Sequence, residues 1–173
     1  MQTRYGDLWE VNGFHVIPTN LTIRRDGTAV MGRGVAQQAA LRYRVLPDAY
    51  GHFPRTRTHP QLFVHRDFQV ICLPVKRHWS AHADLDLIRL GVQQLAALPC
   101  EIRPIALPLV GCGFRELSSR VVLPLLAQCL HHNRFLFVLR DAAATRRHAA
   151  TLRPASRRDR SVGHTVPAAI ARR

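Results

Sequence analysis

The stretch AVMGRGVA, residues 29–36, is the most informative part of this 173-residue sequence, because two glycines precede a helical pattern. The segment 34–44 places apolar residues at four-residue steps, which predicts a helix that begins near Gly34. Glycines permit positive φ and close approach of a ligand, and the amides of a helix N-terminus attract anions. The stretch therefore predicts a phosphate-binding loop, with an ordinary glycine-containing turn as the alternative.

A second glycine loop follows the predicted strand 104–110. Its residues Gly111, Cys112, Gly113 and Phe114 offer further backbone amides beside one aromatic ring. Loops that follow parallel strands meet at the carboxyl edge of a sheet, where ligands of α/β proteins bind. Two anion-binding loops at one edge would suit a diphosphate.

Strand and helix patterns alternate along the chain. This alternation predicts an α/β fold with helices on both faces of a largely parallel sheet. The segment 46–61, with three prolines and a glycine, is predicted to be a loop or irregular insert. The predicted strands are a first one near 3–11 and then 14–19, 68–75, 104–110 and 134–139. The predicted helices are 34–44, 84–98 and 119–131. Asp84 is expected to cap the second helix and Ser118 or Ser119 the third, with Pro124 near the first turn of the third.

Composition excludes several classes of protein. A hydrophobic content of 47% supports a packed core, and there is no apolar run long enough to span a membrane and no pattern of a signal peptide in MQTRYGDLWE. The four cysteines are scattered, which favours a reducing, cytoplasmic compartment. His78 and His82 have no third ligand at a suitable spacing, so no metal site is predicted.

The net charge of +14 is distributed unevenly. Residues 140–173 contain nine Arg and two Asp, a net charge of +7 in 34 residues, and lose hydrophobic periodicity. This segment is predicted to be a flexible tail, while 1–139 form the folded domain. The tail either binds nucleic acid through its arginines or is a solvated segment without a partner.

The glycine loops and two further features resemble the macrodomain family. The further features are Gly6-Asp7-Leu8 near the start and the predicted strand that ends in Thr19-Asn20. The resemblance covers residues 5–139 and is greatest to a branch in which AVMGRGVA replaces the more common triple-glycine loop. Within it, LPVKRHW at 73–79 is similar to the corresponding stretch of antitoxin macrodomains that remove ADP-ribose from DNA.

The resemblance implies a three-layer α/β/α sandwich with a mixed, largely parallel sheet, and a cleft for ADP-ribose without any cofactor. It implies that Asp7, beside Leu8, reads the adenine and that Asn20, after Thr19, meets the distal ribose. It also implies that the two loops hold the diphosphate, with Phe114 packing on a ribose; the loop residues are Gly32, Arg33, Gly34, Val35 and Ala36 in the first loop and Gly111, Cys112, Gly113 and Phe114 in the second.

Lys76 is the candidate catalytic residue, together with Asn20. It is the single lysine among 25 basic residues, which indicates either a need for an amine that Arg cannot replace or the chance survival of one surface lysine. The resembling branch uses a lysine in this stretch to cleave the ADP-ribosyl bond, and some relatives add an Asp shortly after the second loop. Here Arg115 takes that place, so either Glu116 substitutes for the Asp or the lysine–acid mechanism does not apply.

Three functions are therefore open from the sequence. The first is hydrolysis of an ADP-ribosyl linkage to DNA or protein. The second is removal of phosphate from ADP-ribose 1″-phosphate, and the third is non-catalytic binding of ADP-ribose.

Overall fold

The computed structural model describes residues 2–54, 60–113 and 116–139. Within these residues, six strands form one sheet in the order β1-β6-β5-β2-β4-β3. All neighbouring strands are parallel except β3, which pairs antiparallel with β4 at one edge. The strands are β1 Gln2–Tyr5, β2 Phe14–Asn20, β3 Phe63–His65, β4 Val70–Lys76, β5 Ile105–Leu107 and β6 Phe135–Leu139.

The central strands are apolar almost throughout because both faces of a parallel sheet are covered. In β4, every residue from Val70 to Val75 is buried, and only Lys76 at its carboxyl end is partly exposed. In β2, Val16 and Ile17 are fully buried. Apart from His15 near the start of β2, the polar side chains of these two strands thus lie at their carboxyl ends.

Helices cover both faces of the sheet. They are α1 Gly34–Arg42, α2 Leu46–His52, α3 Leu85–Ala96 and α4 Ser119–Cys129. One core packs apolar residues of α3 and α4, such as Ile88 and Leu126, against the sheet. The other packs α1 and α2, through Ala39 and Tyr50, against the opposite face. The predicted three-layer α/β/α class with a mixed, largely parallel sheet is confirmed.

The predicted caps of two helices are also confirmed. Asp84 Oδ1 accepts hydrogen bonds of 3.0 Å from the backbone amides of Asp86 and Leu87 at the start of α3. Ser118 Oγ accepts one of 3.3 Å from the amide of Arg120 at the start of α4. These contacts satisfy amides that a helix N-terminus otherwise leaves without partners. Pro124, however, lies in the interior of α4, beyond the first turn where it was expected.

The predicted first strand at 3–11 is wrong in its second half. The strand ends at Tyr5, and Leu8–Glu10 form a short 3-10 helix. The reason is local, because the side chain of Asp7 accepts a hydrogen bond of 3.1 Å from the amide of Trp9 and so begins the turn.

The prediction of a loop over 46–61 is also wrong at its start, where α2 forms. Pro47 lies in the first turn, where its fixed φ suits a helix and its missing N–H costs nothing. Leu46 and Tyr50 are one helical turn apart and fully buried, so tertiary packing stabilises this short helix. Residues 55–59 and the predicted tail 140–173 lie outside the described residues. In the part of the chain that is described, no helix has the length and hydropathy to cross a bilayer.

Gly51 provides a test of this packing. A Cβ at Gly51 would come within 2.0 Å of the carbonyl oxygen of Gly27 and 2.9 Å of the amide of Ala29. Because both contacts are to backbone, Gly51→Ala must displace α2 or the segment before the first loop. We expect the free energy of unfolding to fall by about 2 kcal/mol or more, measured by urea denaturation.

The control is Gly32→Ala, whose added Cβ would meet no atom within 4 Å. It should leave stability unchanged or raise it slightly, because alanine reduces the entropy of the unfolded chain. Equal losses in the two variants would contradict this account of α2.

Candidate functional site

A cavity of about 600 Å³ opens at the carboxyl ends of β2 and β4, between the two glycine loops. It brings together most of the residues predicted from the sequence, namely Thr19, Asn20, Gly32, Arg33, Gly34, Val35, Ala36, Lys76, Gly111 and Gly113. Glu116, which the sequence offers as the acid partner of Lys76, also lines it. Five further residues that the sequence did not indicate complete the lining, and they are Pro18, Val30, Val75, Trp79 and Leu109.

Asn20 and Lys76 lie side by side because β2 and β4 are parallel and end together. Thr19 pairs with Pro74, but Asn20 pairs with Lys76, so a shift of register skips Val75 at this point. Such an irregularity re-aims the side chains that follow it. Both predicted catalytic residues are therefore delivered to the cavity by strand pairing.

The side chain of Asn20 organises the segment that leads into the first loop. Its Nδ2 donates a hydrogen bond of 2.8 Å to the carbonyl of Val30, and its Oδ1 accepts one of 2.9 Å from the amide of Thr22. An amide nitrogen carries two N–H groups, so the bond to Val30 does not exhaust its capacity to donate. Asn20 thus holds the wall of the cavity and can also meet a ligand.

Thr19, the residue before Asn20, is fixed by a contact with α2. Its Oγ1 lies 2.8 Å from the hydroxyl of Tyr50, and both groups are buried. A buried hydroxyl pair of this kind is costly to break, because each group would lose its partner away from water. The contact ties the end of β2 to α2.

The first loop presents the N-terminus of α1 to the cavity. Gly34 adopts φ +56°, a conformation that disfavours residues with a Cβ, and Arg33 precedes it in extended backbone. α3 and α4 begin with side-chain caps, whereas none is found at the start of α1 among the described residues. An uncapped helix N-terminus that faces a cavity is suited to an anion.

The second loop is folded back on itself. Gly111 has φ +69°, and its carbonyl accepts a hydrogen bond of 3.1 Å from the amide of Leu117. Burial raises the pKa of the Cys112 thiol to about 11, so this side chain is protonated near neutrality and is a poor nucleophile. Cys112 is not among the residues that line the cavity, and Phe114 lies outside the described residues.

Lys76 forms an ion pair with Glu116 in the wall of the cavity. Nζ of Lys76 donates to Oε1 of Glu116, and the two side chains are only 24% and 14% exposed. Oε2 of Glu116 accepts a hydrogen bond of 2.7 Å from the amide of Ala83 and lies 3.9 Å from Nδ1 of the exposed His82. The carboxylate is therefore held in one orientation, with its charge next to the lysine.

The contacts of Glu116 also control its ionisation. Burial opposes the charged form, but the hydrogen bonds from Lys76 and from the amide of Ala83 outweigh burial and hold the pKa of this carboxyl below its ordinary value of 4.5. At neutral pH the cavity wall thus contains a carboxylate that can accept a proton from a ligand or a water molecule.

Asp7 and Leu8 are not among the residues that line this cavity. The carboxylate of Asp7 caps the 3-10 helix, and Leu8 is buried in the core beneath α1 and α2. Their proposed contact with adenine stays a prediction. His78 and His82 lie in the connection between β4 and α3 and not on a helix, and no group of three potential metal ligands is found within the described ranges.

The solved structures with a similar fold include macrodomains. The chain is 25% identical to the macrodomain of Mycobacterium tuberculosis DarG, with a TM-score of 0.67 over 82% of this chain and 99% of that one. It is 21% identical to the macrodomain of Thermus aquaticus DarG, with a TM-score of 0.64 over 81% and 98% of the two chains. Thermosipho africanus DarTG, solved in complex with ADP-ribose, is 19% identical, with a TM-score of 0.62 over 82% of this chain and 42% of that one.

The predicted resemblance to macrodomains is confirmed by these structures, which include the DarG macrodomains. Neither a protein-family model nor a curated protein sequence matches the chain.

The ion pair predicts how stability depends on pH. Because the pKa of Glu116 is lowered by folding, its charge stabilises the folded state above about pH 4.5, and this contribution is lost as the pH falls through the folded-state pKa. We expect Glu116→Gln to lower the melting temperature at pH 7, and to lower it by less below pH 4.5. Thermal melts of both proteins between pH 3 and pH 7 would check this, and a difference that is constant across the range would contradict it.

Proposed function

We propose that this chain, which has the macrodomain fold, binds ADP-ribose in the cavity and hydrolyses an ADP-ribosyl linkage to DNA or protein there. The observation that carries the catalytic part is the pairing of Lys76 with Glu116 in the cavity wall, next to Asn20. Hydrolysis requires a proton for the leaving group and a base for the attacking water. An ammonium can donate the first proton and a carboxylate beside it can accept the second.

Binding of ADP-ribose is supported by the shape and the charge of the cavity. Its volume of about 600 Å³ lies within the range of small-molecule sites. The uncapped start of α1 and the loop at 111–113 supply backbone amides from two sides, as a diphosphate requires. Thermosipho africanus DarTG, with a similar fold, is known in complex with ADP-ribose.

The proposed binding mode follows from this arrangement. With the diphosphate on the two loops, the distal ribose extends toward Asn20 and Lys76. Its anomeric carbon, C1″, then lies beside the ion pair, and the group bonded to C1″ points toward the mouth of the cavity.

In this pair Lys76 acts as the general acid and Glu116 as the general base of hydrolysis. The ammonium of Lys76 donates a proton to the leaving atom of the acceptor as its bond to C1″ breaks. A water molecule attacks C1″ and transfers its proton to the carboxylate of Glu116. Proton transfer from Glu116 to Lys76 through their hydrogen bond then restores both groups.

A second route uses Lys76 as a nucleophile on the opened ribose. It requires Lys76 to lose its proton first, and the ion pair with Glu116 stabilises the protonated form. The resting structure therefore favours the acid–base route. Reduction with borohydride during turnover distinguishes the two, because only the second leaves ADP-ribose covalently attached to Lys76.

Substitution of Lys76 tests the catalytic proposal. We expect Lys76→Ala and Lys76→Arg each to lower the rate of ADP-ribose release from modified DNA or protein by about 100-fold or more, since general acid catalysis contributes on this scale and arginine does not release a proton near neutrality. Release is measured by chromatography, with phosphate release from ADP-ribose 1″-phosphate assayed in parallel.

Calorimetric titration with ADP-ribose is the control, and both variants should still bind it. Retained activity in Lys76→Arg would contradict proton transfer by Lys76. Phosphate release without ADP-ribose release would instead assign the cavity to the phosphatase reaction.

The Arg-rich segment 140–173 is proposed as a non-specific nucleic-acid anchor, on its charge alone. Because such binding releases counterions, we expect deletion of residues 141–173 to weaken binding to single-stranded DNA and to reduce its dependence on salt. Fluorescence anisotropy at two salt concentrations measures both quantities. If the chain without residues 141–173 binds DNA with the same affinity and salt dependence as the full chain, the segment is not a nucleic-acid anchor.

A further inference from the structure

Trp79 is an exposed aromatic residue at the mouth of the cavity. It lies three residues after Lys76, lines the cavity and is 53% exposed. Tryptophan is on average one of the more buried residue types, because its ring is large and mostly apolar. What distinguishes Trp79 from the other exposed apolar side chains of the described residues is that it also lines the cavity that contains Lys76, so its indole is available to a ligand there.

The position of Trp79 is set by its backbone. The amide of Trp79 donates a hydrogen bond of 2.9 Å to Oγ1 of Thr22, which joins the turn after β4 to the segment after β2. Two residues earlier, Nε of Arg77 donates to Oδ2 of Asp84 at 2.7 Å, which anchors the same turn to the start of α3. The indole is thus presented from a backbone that is held on both sides, so less entropy is lost when a ligand contacts it.

The group that meets Trp79 follows from the proposed function, on which this inference rests. ADP-ribose fills the cavity up to Lys76, where the scissile bond lies. The acceptor is on the far side of that bond. Among the described residues that line the cavity, Trp79 is the one with an aromatic ring, and its exposure leaves that ring available to the acceptor.

We propose that Trp79 is a specificity-determining residue that stacks on a nucleobase of a single-stranded nucleic acid, either the modified base or its neighbour. Every base offers a flat π face to an indole, whereas an ester of an Asp or Glu side chain offers no ring. Exposed Arg33, which lines the same cavity, adds positive charge that attracts backbone phosphates and repels an arginine acceptor.

Binding measurements in a Lys76→Ala background test this inference without turnover. Three probes are compared by calorimetry: free ADP-ribose, a short single-stranded DNA that carries ADP-ribose on a base, and a peptide that carries ADP-ribose on a glutamate. We expect Trp79→Ala to weaken binding of the modified DNA by about 5- to 150-fold, which corresponds to roughly 1–3 kcal/mol for one stacked base. Binding of ADP-ribose and of the modified peptide should not change.

Two further variants serve as controls. Trp79→Phe keeps a smaller ring and should recover part of the affinity for the modified DNA. Leu41→Ala removes an apolar side chain that is 65% exposed on α1 and does not line the cavity, and it should change none of the three affinities.

The pattern of affinity losses across the three probes decides what Trp79 contacts. Equal losses for all three probes would place the indole in the ADP-ribose site and overturn the inference. A loss for the peptide alone would assign a protein acceptor, and no loss for any probe would leave Trp79 without a role in binding. Failure of the Lys76→Ala and wild-type proteins to bind free ADP-ribose would refute the proposed function itself.

Discussion

The parallel pairing of β2 with β4 is the constraint on which the site depends. Thr19 of β2 pairs with Pro74 of β4, and the next residue, Asn20, pairs with Lys76. Val75 of β4 is left without a partner in β2, and Asn20 therefore lies against Lys76. Side chains alternate between the faces of a sheet, so a slip of one residue in this pairing would turn Lys76 away from its neighbours. Close packing on both faces of these strands opposes such a slip, since each buried side chain would enter space shaped for a different one.

The ion pair of Lys76 with Glu116 balances the charge of the cavity wall. The carboxylate of Glu116 lies in the wall of a cavity that we propose for a diphosphate, and two anions in one cavity repel each other. The ammonium of Lys76 contacts Glu116 directly and offsets its charge, and the start of α1 adds a positive dipole on the other side. The ion pair thus permits an acid to share one cavity with the proposed diphosphate.

The helix α2 is the part of the fold that connects core stability to the site. Tyr50 reaches the end of β2 through Thr19, and the carbonyl of Pro47 accepts a hydrogen bond of 2.8 Å from the amide of Ala29 at the entrance to the first loop. Gly51 allows the close approach that these contacts need. A segment that contains two helix-disfavouring residues, Pro47 and Gly51, is helical here because packing outweighs intrinsic propensity.

Local sequence determined the features that depend on neighbouring residues. The apolar runs predict the central strands, Asp84 and Ser118 predict two helix starts, the glycines predict both loops, and the single lysine marks Lys76 as the residue to examine. Tertiary structure alone decided α2, the contact of Lys76 with Glu116 40 residues away, the register that joins Asn20 to Lys76, and the exposure of Trp79 at the cavity mouth. Periodicity and caps act within a few residues of one another, whereas these arrangements arise when distant segments pack and must satisfy each other's charges and hydrogen bonds.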